Sequence, residues 1–285
     1  MHSRRYLNRI ILFLSISLFA LQSVFPYANS DSTTHDLSKF AIISLDLSNA
    51  ASRSISYTTS PLRASTTDWL EFSGVAGIIV ASSLLDQTVH ERVRSAGGDG
   101  FNGNVWDLPT LYGTLGTGAS LSFGTYATGL LTSNDELRVT GAMMGESVLL
   151  AGATTWIVKY VAGRSRPFMN QGAGEFSVFQ SSYNRQSFPS GHTTIAFALS
   201  TVLAERIDTP LARFSLYSLA ALTGCARMVN NQHWFSDVLG GAAIGTAAAL
   251  FVLHNSTGQK NSTPRNDTGI FIYPSLNGVS LVLKF

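Results

Sequence analysis

The feature that most limits this chain is a series of long stretches without one charged residue, at 72–85, 108–133, 147–158, 193–204, 214–226 and 238–253. Ala, Leu, Ile, Val and Gly dominate them, and they run longer than ordinary strands, so they are read as five or six helices. The fold class that follows is all-α, a single helical bundle. A mean hydropathy of +0.18 with only 13% charged residues leans toward a membrane or a helix-rich interior. A spanning helix wants roughly 20 predominantly apolar residues. Only 108–133 reaches that length uninterrupted, and it is crowded with Gly113, Gly116, Gly118, Gly124 and Gly129. Such crowding suits close helix packing in a membrane and equally a loop-rich segment. Spanning stays open at this stage, while membrane attachment is favoured.

The flanks differ from this central domain of 72–255. Arg4, Arg5 and Arg9 precede the uncharged run Ile10 to Leu21 and the small-residue stretch Ala28-Asn29-Ser30, so residues 1–30 read as an export signal. The expected location is the cell envelope, periplasmic or membrane-attached. Removing those three positive charges from a net +2 leaves −1, so there is no global basic field for nucleic acid. Residues 31–71 read as a Ser/Thr-rich arm without a clear period, and 256–285 as a polar linker followed by a tail. That tail, GVSLVLKF, alternates with the period of a strand. Cys225 is the single cysteine, cannot form an internal disulfide, and is most simply a small core residue.

Three clusters carry the chemistry. In KYVAGRSRP, Lys159 and Arg166 bring an ammonium and a guanidinium to the end of an apolar segment, where Gly163 can end the helix. Arg164 reads as an ordinary basic flank. In FPSGHTT, Ser190 is placed to cap a helix whose first amides, from Gly191 onward, face a site suited to an anion, with His192 able to carry a proton there. In ARMVNNQHWFSD, His233 and Asp237 are four residues apart, the spacing that joins two side chains on one helical face. Asp237 can then fix the imidazole tautomer, and Arg227 ends another apolar run. A metal site would want further ligands at fixed spacing, whereas His2, His35, His90 and His254 are scattered. Lys159, Arg166 and Arg227 beside the same point would repel a divalent cation. An anion is expected, with no metal and no cofactor.

Together the clusters resemble the type 2 phosphatidic acid phosphatase and vanadium haloperoxidase superfamily. Its signature, Lys-x6-Arg-Pro, Pro-Ser-Gly-His and Ser-Arg-x5-His-x3-Asp, is met by Lys159, Arg166 and Pro167, by Pro189 to His192, and by Arg227, His233 and Asp237. Ala226 stands where the family usually has Ser. The resemblance implies that His233 attacks phosphorus to form a phosphohistidine, oriented by Asp237. It implies that His192 protonates the leaving alcohol and later activates water, and that Lys159, Arg166, Arg227, Ser190 and the Gly191 amide bind phosphate.

The leading expectation is thus a metal-independent phosphatase acting on phosphate monoesters, with a lipid phosphate or isoprenyl diphosphate suggested by the apolar composition and a membrane surface as partner. Its alternatives are a broad-specificity soluble acid phosphatase, a vanadate-dependent haloperoxidase, and a non-catalytic protein that binds anionic headgroups. Binding alone does not need both histidines.

Overall fold

The computed structural model describes residues 38–97, 104–256, 269–275 and 278–284. The expected export signal at 1–30 lies outside them, as does the polar stretch 257–268. The helices are α1 (Lys39–Thr59), α2 (Thr66–Ser82), α3 (Asp86–Gly97), α4 (Asn104–Tyr112), α5 (Leu115–Thr132), α6 (Asp135–Ala162), α7 (Gly191–Ile207), α8 (Pro210–Val229) and α9 (Phe235–Ser256). The domain is an all-α bundle. After it, β1 (Gly269–Ser275) and β2 (Gly278–Lys284) form an antiparallel ribbon with Gly269 opposite Lys284, and β2 is the stretch whose alternation reads as a strand.

Local chemistry sets the helix ends. Ser65 and Asp68 form a reciprocal capping box at the start of α2, Asn134 accepts from the Leu137 amide at the start of α6, and Thr209 caps α8 ahead of Pro210. Helix α6 ends at Gly163, whose φ of +57° and a carbonyl of Ser177 1.6 Å from where a Cβ would stand admit only glycine.

Helix α7 is the centre of the bundle and packs on α6, α8 and α9. Its Ala196, Ala198, Leu199, Val202 and Ala204 are all fully buried. Helix α9 meets it through a stripe of small residues, Gly241, Gly245, Ala248 and Ala249, spaced to share one face. A Cβ on Gly241 would stand 2.5 Å from the Ser190 carbonyl oxygen, and one on Gly245 would stand 2.2 Å from that of Thr194. The glycines let the start of α7 lie directly on α9, and Thr155 of α6 adds a hydroxyl contact to Thr194 at 3.0 Å.

The structure corrects two expectations. The run 108–133 is broken into α4 and α5, because Thr114 caps a new helix by accepting from the Thr117 amide. The segments long and apolar enough to cross a membrane are instead three others: 66–96, α6 and α9. Charges inside α6 hid its length, and the structure pairs them from outside. Arg53 holds Glu146 through a two-pronged contact as short as 2.8 Å, and Asp46 pairs with Arg138. Both partners come from α1, in the stretch read as an arm, which also sets the Tyr57 hydroxyl 3.1 Å from Thr154. Only 6% of the apolar window in 66–96 is buried, and Trp69, Leu70, Phe72, Ile78 and Val80 face outward. An apolar helix left bare on this scale associates the chain with a membrane.

Gly245→Ala should lower the thermal unfolding temperature in detergent, at a cost of roughly 1–3 kcal/mol for forced overpacking. Gly152 of α6 is the control: an added methyl group there would meet nothing within 4 Å, and alanine should be tolerated without loss.

Candidate active site

The three sequence clusters meet at one end of the bundle. After Gly163 the chain leaves α6 as a long loop that returns along itself, with the Ser177 amide donating to the Gly163 carbonyl at 2.9 Å and the Ser165 amide donating to the Glu175 carbonyl at 2.9 Å. This loop, not a continuing helical face, sets Arg166 beside Lys159. The Gln186 carbonyl accepts from Lys159 Nζ at 2.6 Å and from Arg166 Nη2 at 3.3 Å, so one backbone oxygen holds both cations. Arg166 is fixed further by donation to the Tyr183 carbonyl at 2.9 Å and to Gln232 Oε1 at 3.1 Å, with its guanidinium 4.0 Å above the Tyr183 ring.

Ser190 occupies the N-cap position of α7, but its hydroxyl caps no amide and instead accepts from Thr193 Oγ1 at 2.9 Å. The amides of the first turn are therefore left uncapped by a side chain. A Cβ on Gly191 would lie 3.8 Å from Lys159 Cε, which puts the positive end of the α7 dipole next to the ammonium.

The third cluster differs from its expected geometry. His233 lies ahead of α9, so it and Asp237 meet across the helix start and not along one face. His233 Nδ1 is 3.5 Å from Asp237 Oδ2, a long contact, and Nδ1 makes no shorter hydrogen bond. Nε2 points the other way, 3.4 Å from Arg166 Nη1. Asp237 Oδ2 accepts from Ser187 Oγ at 2.5 Å and from the Trp234 amide at 2.9 Å. Arg227 sits in the last turn of α8, buried, with Nε unpartnered.

Charge sorts the four basic residues into two kinds. Arg164, read from sequence as a plain flank, is buried and donates to Asp237 Oδ1 and Asp86 Oδ2, each at 2.6 Å. Among the described residues, Lys159, Arg166 and Arg227 have no carboxylate partner. Asp86, Ser187 and Gln186 were not legible as site residues, since the first is 150 positions from the Ser236 it binds and the carbonyl of Gln186 has no side-chain signature. Among the described residues no group of three or more His, Cys, Asp or Glu is arranged to hold a metal ion. The field also acts on the imidazoles. Burial first, then Arg227, Lys159 and Arg166, lower His192 to about 3. Burial, opposed in part by Asp237, lowers His233 to about 3. Both rings are neutral at pH 7, so Nε2 of His233 carries a lone pair when its proton is on Nδ1.

Comparison with known proteins points to the same region. Residues 141–260 match the family model of the PAP2 superfamily. The chain is 31% identical over 172 residues to the lipid A 1-phosphatase of Porphyromonas gingivalis, covering 59% of this chain and 35% of the relative. It is 32% identical over 149 residues to lipid phosphate phosphatase 2 of Arabidopsis thaliana, covering 41% of this chain and 51% of the relative. The crystal structure of Aquifex aeolicus LpxE aligns at 21% identity and a TM-score of 0.45, over 60% of this chain and 95% of that one. The chain thus spans about a third to a half of the length of these curated relatives.

The depressed imidazoles predict the acid stability of the ligand-free protein. Unfolded histidine takes up a proton near 6.5, while the folded site resists protonation down to about 3. Between those values the unfolded chain binds more protons, so stability falls as pH drops from 6.5 toward 3. Denaturant titrations at about pH 7, 5.5 and 4.5 should show a falling midpoint, and replacing His192 and His233 by Gln should flatten that fall.

Proposed function

We propose, from the match of residues 141–260 to the family model of the PAP2 superfamily, that the chain is a phosphoric monoester hydrolase that removes phosphate from a membrane-borne lipid, without a metal ion. The observation that carries this reading is the set of three buried or half-buried cations, Lys159, Arg166 and Arg227, none of which has a carboxylate in ion-pair contact among the described residues. Burying uncompensated charge is costly, and a phosphate dianion beside an uncapped helix start relieves that cost. Its oxygens suit the forked donors of Arg166 and Arg227, the ammonium of Lys159 and the Gly191 amide, with Ser190 beside them.

In the proposed reaction Nε2 of His233 attacks phosphorus as the bond to the leaving oxygen breaks. Asp237, facing Nδ1, stabilises the positive charge that develops on the ring. His192, which takes up a proton from solvent once the phosphate dianion is bound, donates that proton to the leaving oxygen. It then takes one from water, whose oxygen attacks phosphorus while the phosphorus–nitrogen bond breaks, returning His233 to its neutral state and releasing phosphate. Bound negative charge raises the readiness of His192 to be protonated, because it offsets the cations that depress it in the empty site. The preorganised cations act most strongly where charge gathers on the phosphoryl oxygens.

The lipid preference rests on the surroundings of the site. Trp156 and Tyr160 stack at 6.4 Å near the end of α6, and Phe179 packs on Tyr160 at 5.8 Å. Trp156 is 64% and Phe179 61% exposed, and Phe179 is held at a φ of 60°, which a bulky side chain rarely adopts. Aromatic residues left in the open at the end of an apolar helix suit a membrane interface. The loop that carries Phe179 also supplies the carbonyls of Gln186 and Ser187 that hold Lys159. We propose that the chain lies in the cell envelope, with 66–96, α6 and α9 as the segments that cross the bilayer and export directed by residues 1–30.

Purified full-length chain in detergent and EDTA should release phosphate from lipid phosphates, and His233→Gln should reduce the rate by at least about a thousandfold. Loss of activity to the chelator, or full turnover by the folded variant, would overturn the mechanism. The double change Trp156→Ala with Phe179→Ala should raise KM several-fold for a lipid phosphate in mixed micelles and leave hydrolysis of a small soluble ester near its starting value.

A further inference from the structure

We propose that Asp86 and Arg164 are positioning residues for His233, acting through Asp237 to aim its Nε2 at the phosphoryl group; the inference deepens the function proposed above and rests on it. Every polar side-chain atom of Asp86 and Arg164 is engaged. Arg164 Nη1 donates to Asp237 Oδ1 at 2.6 Å and to Ser236 Oγ at 2.8 Å. Its Nη2 donates to Asp86 Oδ2 at 2.6 Å and to the Ala173 carbonyl at 2.7 Å, and Nε donates to that same carbonyl at 3.0 Å. Asp86 Oδ1 accepts from the Ser236 amide at 2.8 Å, and Oδ2 also accepts from the Ser236 hydroxyl at 2.6 Å. The guanidinium lies against the rings of Phe176 and Trp234, 5.2 and 5.7 Å from their centres.

Arg164 occupies Oδ1 of Asp237, which leaves Oδ2 as the oxygen turned toward His233 Nδ1. The carboxylate is thereby prevented from rotating, and the Trp234 amide and Ser187 hydroxyl hold Oδ2 in turn. Asp86 has a separate effect, on charge. One guanidinium shared between two carboxylates leaves the buried group of three with a net negative charge, so Asp237 is not cancelled by its own partner. That remaining negative charge is available to hold a proton on Nδ1 and to favour a positively charged ring after attack. Asp86 and His233 also line one small cavity of about 10 Å³.

A buried ion network can be purely architectural, and the test must separate the two roles. Asparagine at position 86, with its one side-chain oxygen in place of Oδ2, can still accept from Arg164 and the Ser236 hydroxyl, but it sets an NH2 group against the Ser236 amide and removes the extra negative charge. Asp86→Asn is expected to lower kcat about ten- to a hundredfold with KM changed less than about twofold, as for other groups that orient a catalytic histidine indirectly. Nitrogen NMR of histidine-labelled protein gives a readout independent of turnover. The His233 proton should sit on Nδ1 in the unsubstituted protein and be shared between the two nitrogens in Asp86→Asn. A lowered unfolding temperature with unchanged kcat and unchanged His233 signals would overturn the proposal. Should Asp86→Asn not fold, Ser236→Ala takes its place: it keeps the amide contact to Asp86 and the direct Arg164 pairs, and deletes the hydroxyl that bridges Asp86 and Arg164. A several-fold loss of kcat and the same tautomer shift are then expected, and the absence of both would sink the idea. An unsubstituted chain that releases no phosphate would count against the proposed function alone, because the tautomer measurement still decides whether Asp86 governs the ring.

Discussion

Positive charge without a matching acid is the constraint around which this molecule is arranged. Lys159, Arg166 and Arg227 repel one another, and in a low-dielectric interior they would drift apart if nothing restrained them. The restraint comes from neutral groups, most of them backbone. The Gln186 carbonyl takes both Lys159 and Arg166, the Tyr183 carbonyl and ring take another part of Arg166, and Gln232 takes a third. Carbonyl dipoles position a cation without cancelling its charge, whereas a carboxylate would do both. The result is a site whose positive field is not cancelled by the groups that hold the cations, as the proposed function requires.

Holding that field in place requires close packing beneath it. Helix α7 can bring its uncapped start to the cations only because α9 offers glycine at 241 and 245 and lets the backbone of Ser190 and Thr194 lie against it. The Ser190 amide donates to the Asp237 carbonyl at 2.9 Å, so the helix carrying His192 and the helix carrying Asp237 are joined by their own main chains at the site. Core packing and site geometry are thus one arrangement, and a methyl group inserted between α7 and α9 would disturb both.

Much of this was legible in the sequence, and the parts that were not share a cause. The charge-free runs marked the helices, and the three clusters named the residues that now converge, because those signals are local. The length of α6 was hidden by Glu146 and Arg138, whose partners lie in α1 and cannot be inferred from α6 itself. His233 and Asp237 were singled out by helical spacing, yet the helix begins between them, so the two side chains face each other at 3.5 Å through a geometry that spacing does not describe. Arg164 looked like an anchor because a basic residue after an apolar helix usually is one. Its burial becomes visible only when Asp86, 78 residues earlier, is brought beside it. Long-range pairing of charge has no periodicity to read.

The two carboxylates around Arg164 also bear on where the site sits in depth. Lys159 is in the last turn of α6 and Asp237 in the first turn of α9, so opposite ends of two long apolar helices meet at the same level. If the helices cross the bilayer as proposed, charged groups at that level avoid the hydrocarbon centre, where isolated charge is costly, while the apolar faces below them meet lipid. Under the proposed function, a phosphate headgroup drawn to the cations at this depth would keep its hydrocarbon tail in the bilayer alongside those faces. A soluble ester brings the same phosphate but nothing to occupy the aromatic edge at Trp156 and Phe179. On the proposed function the cradle would recognise phosphate in general, and selection for lipid would come from the height at which the helix ends hold it.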